Sequence, residues 1–511
     1  MKQRGKWLIG ISLLGLLFCT GAAAEPEVIP LQASTLSRLV DLNEVIFHQC
    51  MLQRCARLNG NSRVAGSPGY DLSARYVSFC LKGAGYPVTV QRFKFPYYEE
   101  LSKPFLQRTF PKTRTYKPDD PNGFYSMYYS GNGDVEGTLV PVDVVMPPGD
   151  TPNSNSSGCQ MKDFGGFPAG AIALIQRGTC TYHQKARNAQ RAGASAAVIY
   201  NEGQEGRTAA SRATLQHPGL TIPVVITSYA VGSDLYRLAQ KQEVRVHLRV
   251  DTRLEWRRTE NILASTKTGN ALRKVIVGAH LDSVAAGPGI NDNGSGAASV
   301  LETALKMATW DLRPKNQVVF AFWGAEEEGL FGSTHFVKRL TKKQLAAVSL
   351  YLNFDMLGSP NWIRFVGDGD GSDTGVAGPP GSDFIEQVFV DYYARRTLPT
   401  APHILSGRSD YAPFMAAGIP VGELLAGWDE IKTKEQAAVY GGTAGLPCDP
   451  NYHSARDTLK NADFSIEGEM LKTMGYAVGY FAGKSLPARK AEALQAAGPF
   501  AFEYKGPWAI R

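Results

Sequence analysis

VIVGAHLDS, residues 275–283, is a run of apolar residues that ends in a histidine and an aspartate. Shortly after it, GINDNGSG at 289–296 places a second aspartate in a glycine- and asparagine-rich turn that leads into a predicted helix. Neutral imidazole and carboxylate oxygens are ligands that zinc accepts. The two stretches therefore indicate a metal site containing His280 and Asp292. Asp282 is placed to bond the other ring nitrogen of His280 and fix its orientation.

Three later stretches add side chains of the same kind. FWGAEEEGL at 322–330 follows an apolar strand with three acids, NFDM at 353–356 ends another strand with Asp355, and DPNYHS at 449–454 supplies His453 in a loop. Three adjacent acids are normally a solvated surface, because neighbouring carboxylates repel each other. The apolar strand before Glu326–Glu328 and the GLFG sequence after them favour a functional site instead.

From about residue 257, predicted strands alternate with predicted helices. The strands are 275–280, 318–323, 350–355 and 419–424, and the helices are 296–307, 384–394 and 468–483. Such alternation predicts an α/β fold with a mixed, largely parallel central sheet flanked by helices. Ligands of these sheets collect at the carboxyl ends of the strands. His280, the acids after 323 and Asp355 all lie where a predicted strand ends.

Residues 117–132 are rich in proline, glycine, asparagine and aspartate and look like a domain boundary. Short strands and two helices follow as far as residue 250, which indicates a compact α+β module inserted into the main domain. We therefore predict a signal segment at 1–24, the first part of the main domain at 25–128, the insert at 129–255, the rest of the main domain at 256–488, and a tail at 489–511.

Composition restricts the class of protein. The chain has 511 residues, of which 43% are apolar and 20% charged, so it is neither disordered nor fibrous. Its net charge of +7 includes three basic residues among the first six. No long basic cluster follows, so nothing indicates nucleic-acid binding. Nothing fixes the oligomeric state, and we favour a monomer.

The first residues resemble an export signal. Lys2, Arg4 and Lys6 precede an apolar run at 7–18 and three alanines at 22–24. That run has 12 residues, short of the ~20 that cross a bilayer as a helix, and no later segment is long enough. We expect an exported protein, periplasmic or extracellular, without a membrane span. A lipid anchor at Cys19 is disfavoured because bulky Phe18 precedes it.

Six cysteines follow the signal segment, and an even number in an exported chain favours disulfides. Cys159 and Cys180 stand apart from the others in one segment, and we expect them to pair. Among the remaining four we favour Cys55 with Cys80. The alternative is that Cys50 or Cys448 is unpaired and simply buried.

Taken together and in order, the motifs resemble those of the M28 family of zinc aminopeptidases, especially secreted leucine-type enzymes. The resemblance rests on HLDS at 280–283, NDNGSG at 291–296, GAEEEGL at 324–330, NFDM at 353–356, GRSD at 407–410 and YH at 452–453. The inserted module resembles a protease-associated (PA) domain through its GC pair at 158–159, RGTC at 177–180, Lys185 and Asn188. The resemblance implies a zinc exopeptidase fold and a peptide-hydrolysing enzyme.

The resemblance also assigns a role to each motif residue. It implies two zinc ions per chain, with Asp292 bridging them, His280 and Asp355 completing one, and Glu327 and His453 completing the other. It implies an activated water between the ions and peptide substrates with a free N-terminus. Further roles are a general base at Glu326, an oxyanion-stabilising hydroxyl at Tyr452, substrate binding by Arg408, and an apolar pocket for leucine-like residues at Met356 and Leu425.

Related enzymes flank the Tyr-His pair with a local disulfide, but no cysteine follows His453 in this chain. We therefore expect another contact to hold this loop, for example a bond from Cys448 elsewhere. The other histidines are in no ligand-like spacing and are expected to be structural or exposed; they are His48, His183, His217, His247, His335 and His403.

Several alternative functions stay open. A carboxypeptidase or dipeptidase of the same fold would grip a free carboxylate instead of an amine, and a binding protein would keep the fold without catalysis. The absence of a Gly-x-Ser-x-Gly elbow disfavours a serine hydrolase. The acidic stretch DGDGSD at 368–373 could hold calcium, although an acidic surface turn fits it better.

Overall fold

The computed structural model describes residues 31–487. The predicted export signal and the predicted tail lie outside these residues. Two sheets organise the described part of the chain, one of eight strands and one of nine. The predicted fold class, an α/β domain with an inserted α+β domain, is confirmed.

The strands of the described chain are β1 (Val88–Glu100), β2 (Phe105–Phe110), β3 (Arg114–Thr115), β4 (Phe124–Tyr128), β5 (Gly133–Val142), β6 (Ile172–Gln176), β7 (Ala196–Tyr200), β8 (Ala213–Thr214), β9 (Val224–Thr227), β10 (Arg245–Val250), β11 (Thr252–Ser265), β12 (Asn270–His280), β13 (Asn316–Trp323), β14 (Val348–Phe354), β15 (Phe365–Gly367), β16 (Ala401–His403) and β17 (Val421–Leu425).

The helices are α1 (Ala33–Leu39), α2 (Leu42–Arg57), α3 (Pro68–Gly83), α4 (Tyr182–Arg191), α5 (Tyr229–Ala239), α6 (Gly296–Thr309), α7 (Phe331–Lys338), α8 (Lys342–Ala346), α9 (Ser382–Ala394), α10 (Tyr411–Ala416), α11 (Lys434–Tyr440) and α12 (Phe464–Gly483), with short helical turns at Met161–Phe164 and Ile290–Ser295. None of them is both long and apolar enough to cross a membrane.

The main sheet has the strand order β1-β11-β13-β12-β14-β17-β15-β16. Its central strands β13, β12, β14 and β17 are parallel, whereas β1 and β11 add antiparallel strands at one edge. The order reverses at β12, which has β13 on one side and β14 on the other. A crevice forms at such a reversal, outside the carboxyl ends of the strands.

Helices cover both faces of this sheet, which is why its central strands are apolar at almost every position. Helices α1, α2, α3, α6, α9 and α12 pack into one large core, and α7 and α10 into a second core on the opposite face. The sequence fixes where several helices begin. Ser67 caps α3 and is followed by proline, and the Asp463 side chain accepts the backbone N–H groups of Ser465 and Ile466 at the start of α12.

The second sheet has the order β3-β2-β10-β5-β6-β7-β9-β4-β8 and carries helices α4 and α5. Strands β2 and β4 belong to it, although the predicted boundary at residue 128 puts them in the main domain. The chain enters and leaves the insert at adjacent positions, since the Leu101 N–H donates to the Asp251 carbonyl. We therefore propose residues 101–251 as the inserted unit.

Cys159 and Cys180 form a disulfide within the insert. The expected Cys55–Cys80 disulfide is wrong, since both thiols are free, as are those of Cys50 and Cys448. Cys55 and Cys80 lie on different helices, α2 and α3, and each has its own hydroxyl neighbour. The hydroxyl of Ser73 lies near the Cys55 thiol, and that of Tyr76 near the Cys80 thiol.

Glu467 is a buried acid of α12, and it gives the fold a testable pH dependence. Burial raises the pKa of its carboxyl from 4.5 to about 8. The folded chain therefore holds this proton more tightly than the unfolded chain. Its contribution to stability is complete below pH 4.5 and is lost as the pH rises through about 8.

We predict that Glu467→Gln unfolds at a higher temperature than the parent protein at pH 9, and that the difference closes near pH 4.5. The expected gain at pH 9 is on the order of a few kcal/mol. Thermal unfolding across this pH range measures it. The control is Glu205→Gln, which neutralises an exposed glutamate of the insert and should unfold with the parent at every pH. Equal unfolding temperatures for Glu467→Gln and the parent at pH 9 would contradict the prediction.

Candidate metal centre

Three parallel strands deliver the candidate ligands to one edge of the main sheet. His280 is the last residue of β12, Asp355 follows the end of β14, and Glu326 and Glu327 lie in the turn after β13. The turns there are tight, since Ala325 and Met356 have φ values of 58° and 52°. Such left-handed conformations are costly for residues other than glycine and cluster at functional sites.

Asp292 lies at the centre of the cluster and faces both histidines. Its Oδ1 is 3.2 Å from His280 Nε2, and its Oδ2 is 3.2 Å from His453 Nε2. Asp355 Oδ1 is 3.3 Å from the same nitrogen of His280, and Glu327 Oε2 is 3.0 Å from that of His453. The five predicted ligands thus form two groups that share Asp292.

These distances and atoms fit metal ions. Nitrogen and oxygen ligands at about 2.0–2.2 Å from a tetrahedral ion lie a little over 3 Å from one another. Two oxygens of the cluster, Glu327 Oε1 and Asp355 Oδ1, are buried without a hydrogen-bond partner. Two imidazoles and three carboxylates are also a donor set that zinc accepts. The residues present therefore fit two zinc ions, with Asp292 between them.

The carboxylates outnumber the cations in this buried region. The resulting negative potential raises the pKa values of both histidines. Burial alone would lower the pKa of His280, but the carboxylates of Asp355 and Glu326 outweigh it and hold this pKa well above its usual range. Burial would also lower the pKa of His453, but nearby carboxylates, with Glu327 as the largest influence, raise it to about 10. A bound divalent cation would supply this positive charge and leave both rings neutral.

The turn that carries Asp292 is held by the loop that carries His453. Asp457 accepts the backbone N–H groups of Asn291 and Asp292 at 2.6 and 3.0 Å, and Asp449 accepts the side-chain amide of Asn291 at 2.7 Å. Cys448 is free and buried, so the expectation that it bonds elsewhere is wrong. Carboxylates rather than a disulfide connect the two loops.

Arg63 holds the other side of the same turn and is fully buried. Its guanidinium donates to the carbonyls of Leu281, Pro288 and Gly289. Gly289 has a φ of 62°, and a Cβ there would lie 2.3 Å from the Asp292 carbonyl oxygen. Only glycine at position 289 therefore allows the turn to fold back this close to the Asp292 carbonyl.

Asp282 and Ser409 support the ligands from behind. Asp282 Oδ1 is 3.7 Å from His280 Nδ1, which is longer than a hydrogen bond. Its two oxygens instead accept the backbone N–H groups of Glu326 and Glu327, each at 3.2 Å. The Ser409 hydroxyl donates to Asp355 Oδ2 at 2.7 Å. Asp282 thus joins the turn after β13 to the end of β12.

A small cavity adjoins the ligands. Met356, Trp428, Tyr452 and Arg408 line it together with the metal-site residues. Leu425 is buried in the same apolar cluster as Met356 but is not among the residues that line the cavity. Trp428 has no motif around it in the sequence, and only the packing after β17 reveals its position.

Arg408 and Tyr452 form part of the same wall. The Arg408 guanidinium lies over the Trp428 ring at 4.7 Å and pairs with Asp429 at 3.3 Å. The Tyr452 ring stacks on His453 with 3.8 Å between centroids. Burial raises the pKa of Tyr452 well above its usual range, so this phenol keeps its proton.

His403 supports Trp428 from below. Its ring nitrogens lie 3.0 Å from Glu423 Oε2 and 3.3 Å from Glu430 Oε1. These two acids outweigh the effect of burial and raise the pKa of His403 to about 9. Glu430 accepts the Trp428 backbone N–H at 2.7 Å, so this buried ion pair anchors the cavity wall.

The acidic stretch at 368–373 places Asp368 and Asp370 near Glu386, within reach of one another. The oxygens of Asp368 accept backbone N–H groups of Gly371, Asp373 and Thr374 at 2.9, 3.2 and 2.7 Å. These hydrogen bonds give Asp368 a clear structural role in the turn.

Comparison with known proteins identifies the families of both domains. Residues 261–478 match peptidase family M28, and residues 135–235 match the PA domain. An aminopeptidase of Pseudomonas aeruginosa is 43% identical over 452 residues, which cover 87% of this chain and 82% of that protein. A probable leucine aminopeptidase 2 of Aspergillus fumigatus is 40% identical over 66% of this chain and 67% of its own length.

The chain belongs to peptidase family M28. Its predicted class of enzyme, a metallo-aminopeptidase, is confirmed. A solved aminopeptidase from Aneurinibacillus sp. strain AM-1 has a TM-score of 0.68 at 25% identity and covers 90% of this chain and 98% of its own. BSAP, a zinc aminopeptidase from Bacillus subtilis, shares the fold with a TM-score of 0.53 at 23% identity, over 88% of this chain and 95% of that one.

We predict that Arg63→Met lowers the free energy of unfolding by about 3–5 kcal/mol. The change leaves three carbonyls without a donor and removes the buried cation that faces Asp282 and Asp457. Denaturant unfolding of the metal-loaded protein measures the loss. Arg57→Met, at an exposed arginine of α2, is the matched control and should stay within about 0.5 kcal/mol of the parent. Equal losses in the two variants would refute the role of Arg63.

Proposed function

We propose that this protein is an exported aminopeptidase that binds two zinc ions and removes hydrophobic, leucine-like residues from the N-termini of peptides. The observation that carries the proposal is the single carboxylate of Asp292 between two imidazoles, each with a further carboxylate. In this assignment His280 and Asp355 complete one ion, Glu327 and His453 complete the other, and Asp292 is shared. Zinc held there is a Lewis acid that polarises a carbonyl and lowers the pKa of water to ~7.

Glu326 is the proposed general base. Its Oε2 lies 4.0 Å from His280 Nε2, beside the ligands but outside the two groups that share Asp292. Burial, with further contributions from Asp410 and Glu327, raises the pKa of Glu326 well above its usual range. A carboxylate of raised pKa accepts a proton readily and can hand it to the leaving amine.

Tyr452 and the acidic groups complete the assignment. Tyr452 lines the cavity, and its protonated hydroxyl is suited to donate to the oxygen that becomes negative, a contribution of about 3 kcal/mol in comparable sites. Glu326 and Asp355 are suited to receive the ammonium group of the N-terminal residue. The apolar side chains of Met356 and Trp428 favour a hydrophobic side chain, and discrimination by one methylene is worth about 1–3 kcal/mol.

A carboxypeptidase or dipeptidase would need a free cation to grip the terminal carboxylate. Among the residues that line the cavity, Arg408 is the guanidinium, and it is already paired with Asp429 and stacked on Trp428. The surplus of carboxylates beside it favours an amine. The disulfide of Cys159 with Cys180 supports export, because such bonds persist in oxidising compartments.

We predict that Glu326→Gln keeps its zinc but loses at least about 10³-fold in kcat, because the base is removed while the ligands remain. His280→Ala and Asp292→Ala should lose zinc as well as activity. Metal analysis of the purified proteins, together with release of p-nitroaniline from leucine p-nitroanilide, separates the two effects. Full activity of Glu326→Gln would show that the general base is a different residue.

We further predict that the enzyme cleaves leucine p-nitroanilide but not its N-acetyl derivative. Acetylation removes the positive charge that Glu326 and Asp355 are proposed to bind. The comparison is made at equal substrate concentration with zinc-loaded protein. Activity restricted to N-blocked dipeptides would favour the hypothesis that the enzyme is a carboxypeptidase or dipeptidase. A protein without detectable zinc or turnover would favour a binding protein.

A further inference from the structure

A cleft of about 300 Å³ lies between the insert and the main domain, next to the metal centre. Glu327 and His453 line its inner end, and Glu327 also lines the small cavity with Met356 and Trp428. The two cavities therefore meet at the metal ligands. This inference rests on the proposed function: if the N-terminal residue occupies the small cavity, the remainder of the peptide must leave through the cleft.

Residues of both domains form the walls of the cleft. Tyr125 and Tyr128 come from β4 of the insert, and Glu328 follows directly after the ligand Glu327. The Tyr128 hydroxyl donates to Glu328 Oε2 at 2.6 Å, so the insert contacts the residue next to a metal ligand. The position of the insert therefore sets the width of the cleft close to the scissile bond.

The charge of the cleft is predominantly negative. Four carboxylates line it in addition to the ligand Glu327, and they belong to Glu99, Glu100, Asp119 and Glu328. Glu99 is paired with Arg253, and Asp119 lies 3.8 Å from Arg212. Glu100 and Glu328 instead accept hydrogen bonds from hydroxyl groups, those of Ser126 and Tyr128. Neither hydrogen bond comes from a cation, and Glu100 is exposed whereas Glu328 is buried. Glu100 is therefore the acid that a ligand in the cleft can reach.

The tyrosine rings of the cleft already receive cations of the protein itself. The Arg257 guanidinium lies 3.3 Å from the centroid of Tyr97, and that of Arg212 lies 6.0 Å from the centroid of Tyr125. Aromatic faces attract guanidinium and ammonium groups through the ring quadrupole. Rings and carboxylates in one cleft thus favour the same kind of ligand, a flexible side chain that ends in a cation.

We propose that this cleft binds the part of the peptide that follows the scissile bond and selects substrates with a lysine or arginine there, with Glu100 as the residue that determines the preference. The insert then has a defined role, because it supplies one wall of a specificity site. Acidic residues at the same substrate position are disfavoured by repulsion.

The test compares three amidated tripeptides, Leu-Lys-Ala, Leu-Gln-Ala and Leu-Glu-Ala, with the zinc-loaded full chain. The three peptides differ only in the side chain after leucine. Amidation removes the terminal carboxylate from all of them. We expect kcat/KM to fall in the order lysine, glutamine, glutamate, with about a tenfold range at low salt. The range should shrink at 1 M salt, because partly exposed charges are screened there.

Two variants locate the preference. Glu100→Gln should reduce the ratio of kcat/KM for the lysine peptide to kcat/KM for the glutamine peptide by about two- to fivefold, as loss of one exposed ion pair does. Glu205→Gln is the matched control, since it removes the charge of an exposed glutamate elsewhere on the insert. It should leave the ratio unchanged. Zinc content and unfolding temperature are measured for every variant.

The outcomes separate this inference from the proposed function. If the parent protein releases leucine from neither the peptides nor leucine p-nitroanilide, the proposed function fails. If it cleaves all three peptides with equal kcat/KM, the function stands and the charge preference is refuted. A preference that persists unchanged in folded Glu100→Gln also refutes the assignment to this residue.

Discussion

The structure depends on how it accommodates a surplus of buried negative charge at the carboxyl ends of its central strands. Asp292, Glu326, Glu327 and Asp355 are almost entirely removed from water and lie within a few ångströms of two imidazoles. Carboxylates in such a place are costly unless cations neutralise them. Both histidines respond with raised pKa values, and the donor geometry is suited to divalent ions. Metal binding and the stability of this edge of the sheet are therefore coupled.

Neutralisation alone would not fix the positions of the ligands. Arg63 binds three carbonyls of the chain that leads to Asp292, and Asp457 binds two N–H groups of the same turn from the opposite side. The first contact comes from the loop between α2 and α3, and the second from the loop of His453. The turn is thus held between parts of the chain that are distant in sequence, which fixes the position of Asp292.

The parts of the site that could be predicted from sequence are those with a local signature. An apolar strand that ends in a histidine or an acid is visible in the residues themselves, which is why His280 and Asp355 could be placed at strand ends together with the fold class. Arg63, Trp428 and His403 have no such signature, because their roles arise from packing between segments far apart in the chain. The Cys55–Cys80 prediction failed for the same reason, since pairing depends on how α2 and α3 meet and not on the number of cysteines.

The three consecutive glutamates Glu326, Glu327 and Glu328 differ in their surroundings because each makes different tertiary contacts. Glu326 lies toward His280, Glu327 toward His453, and Glu328 toward Tyr128 of the insert. The turn achieves this because Ala325 and Leu330, which flank the run, both adopt positive φ values, while Asp282 holds two of its N–H groups. One short turn thereby presents an acid beside the ligands, an acid among the ligands, and an acid that meets the second domain. Tyr128 of the insert thus contacts Glu328, which directly follows Glu327 in the chain.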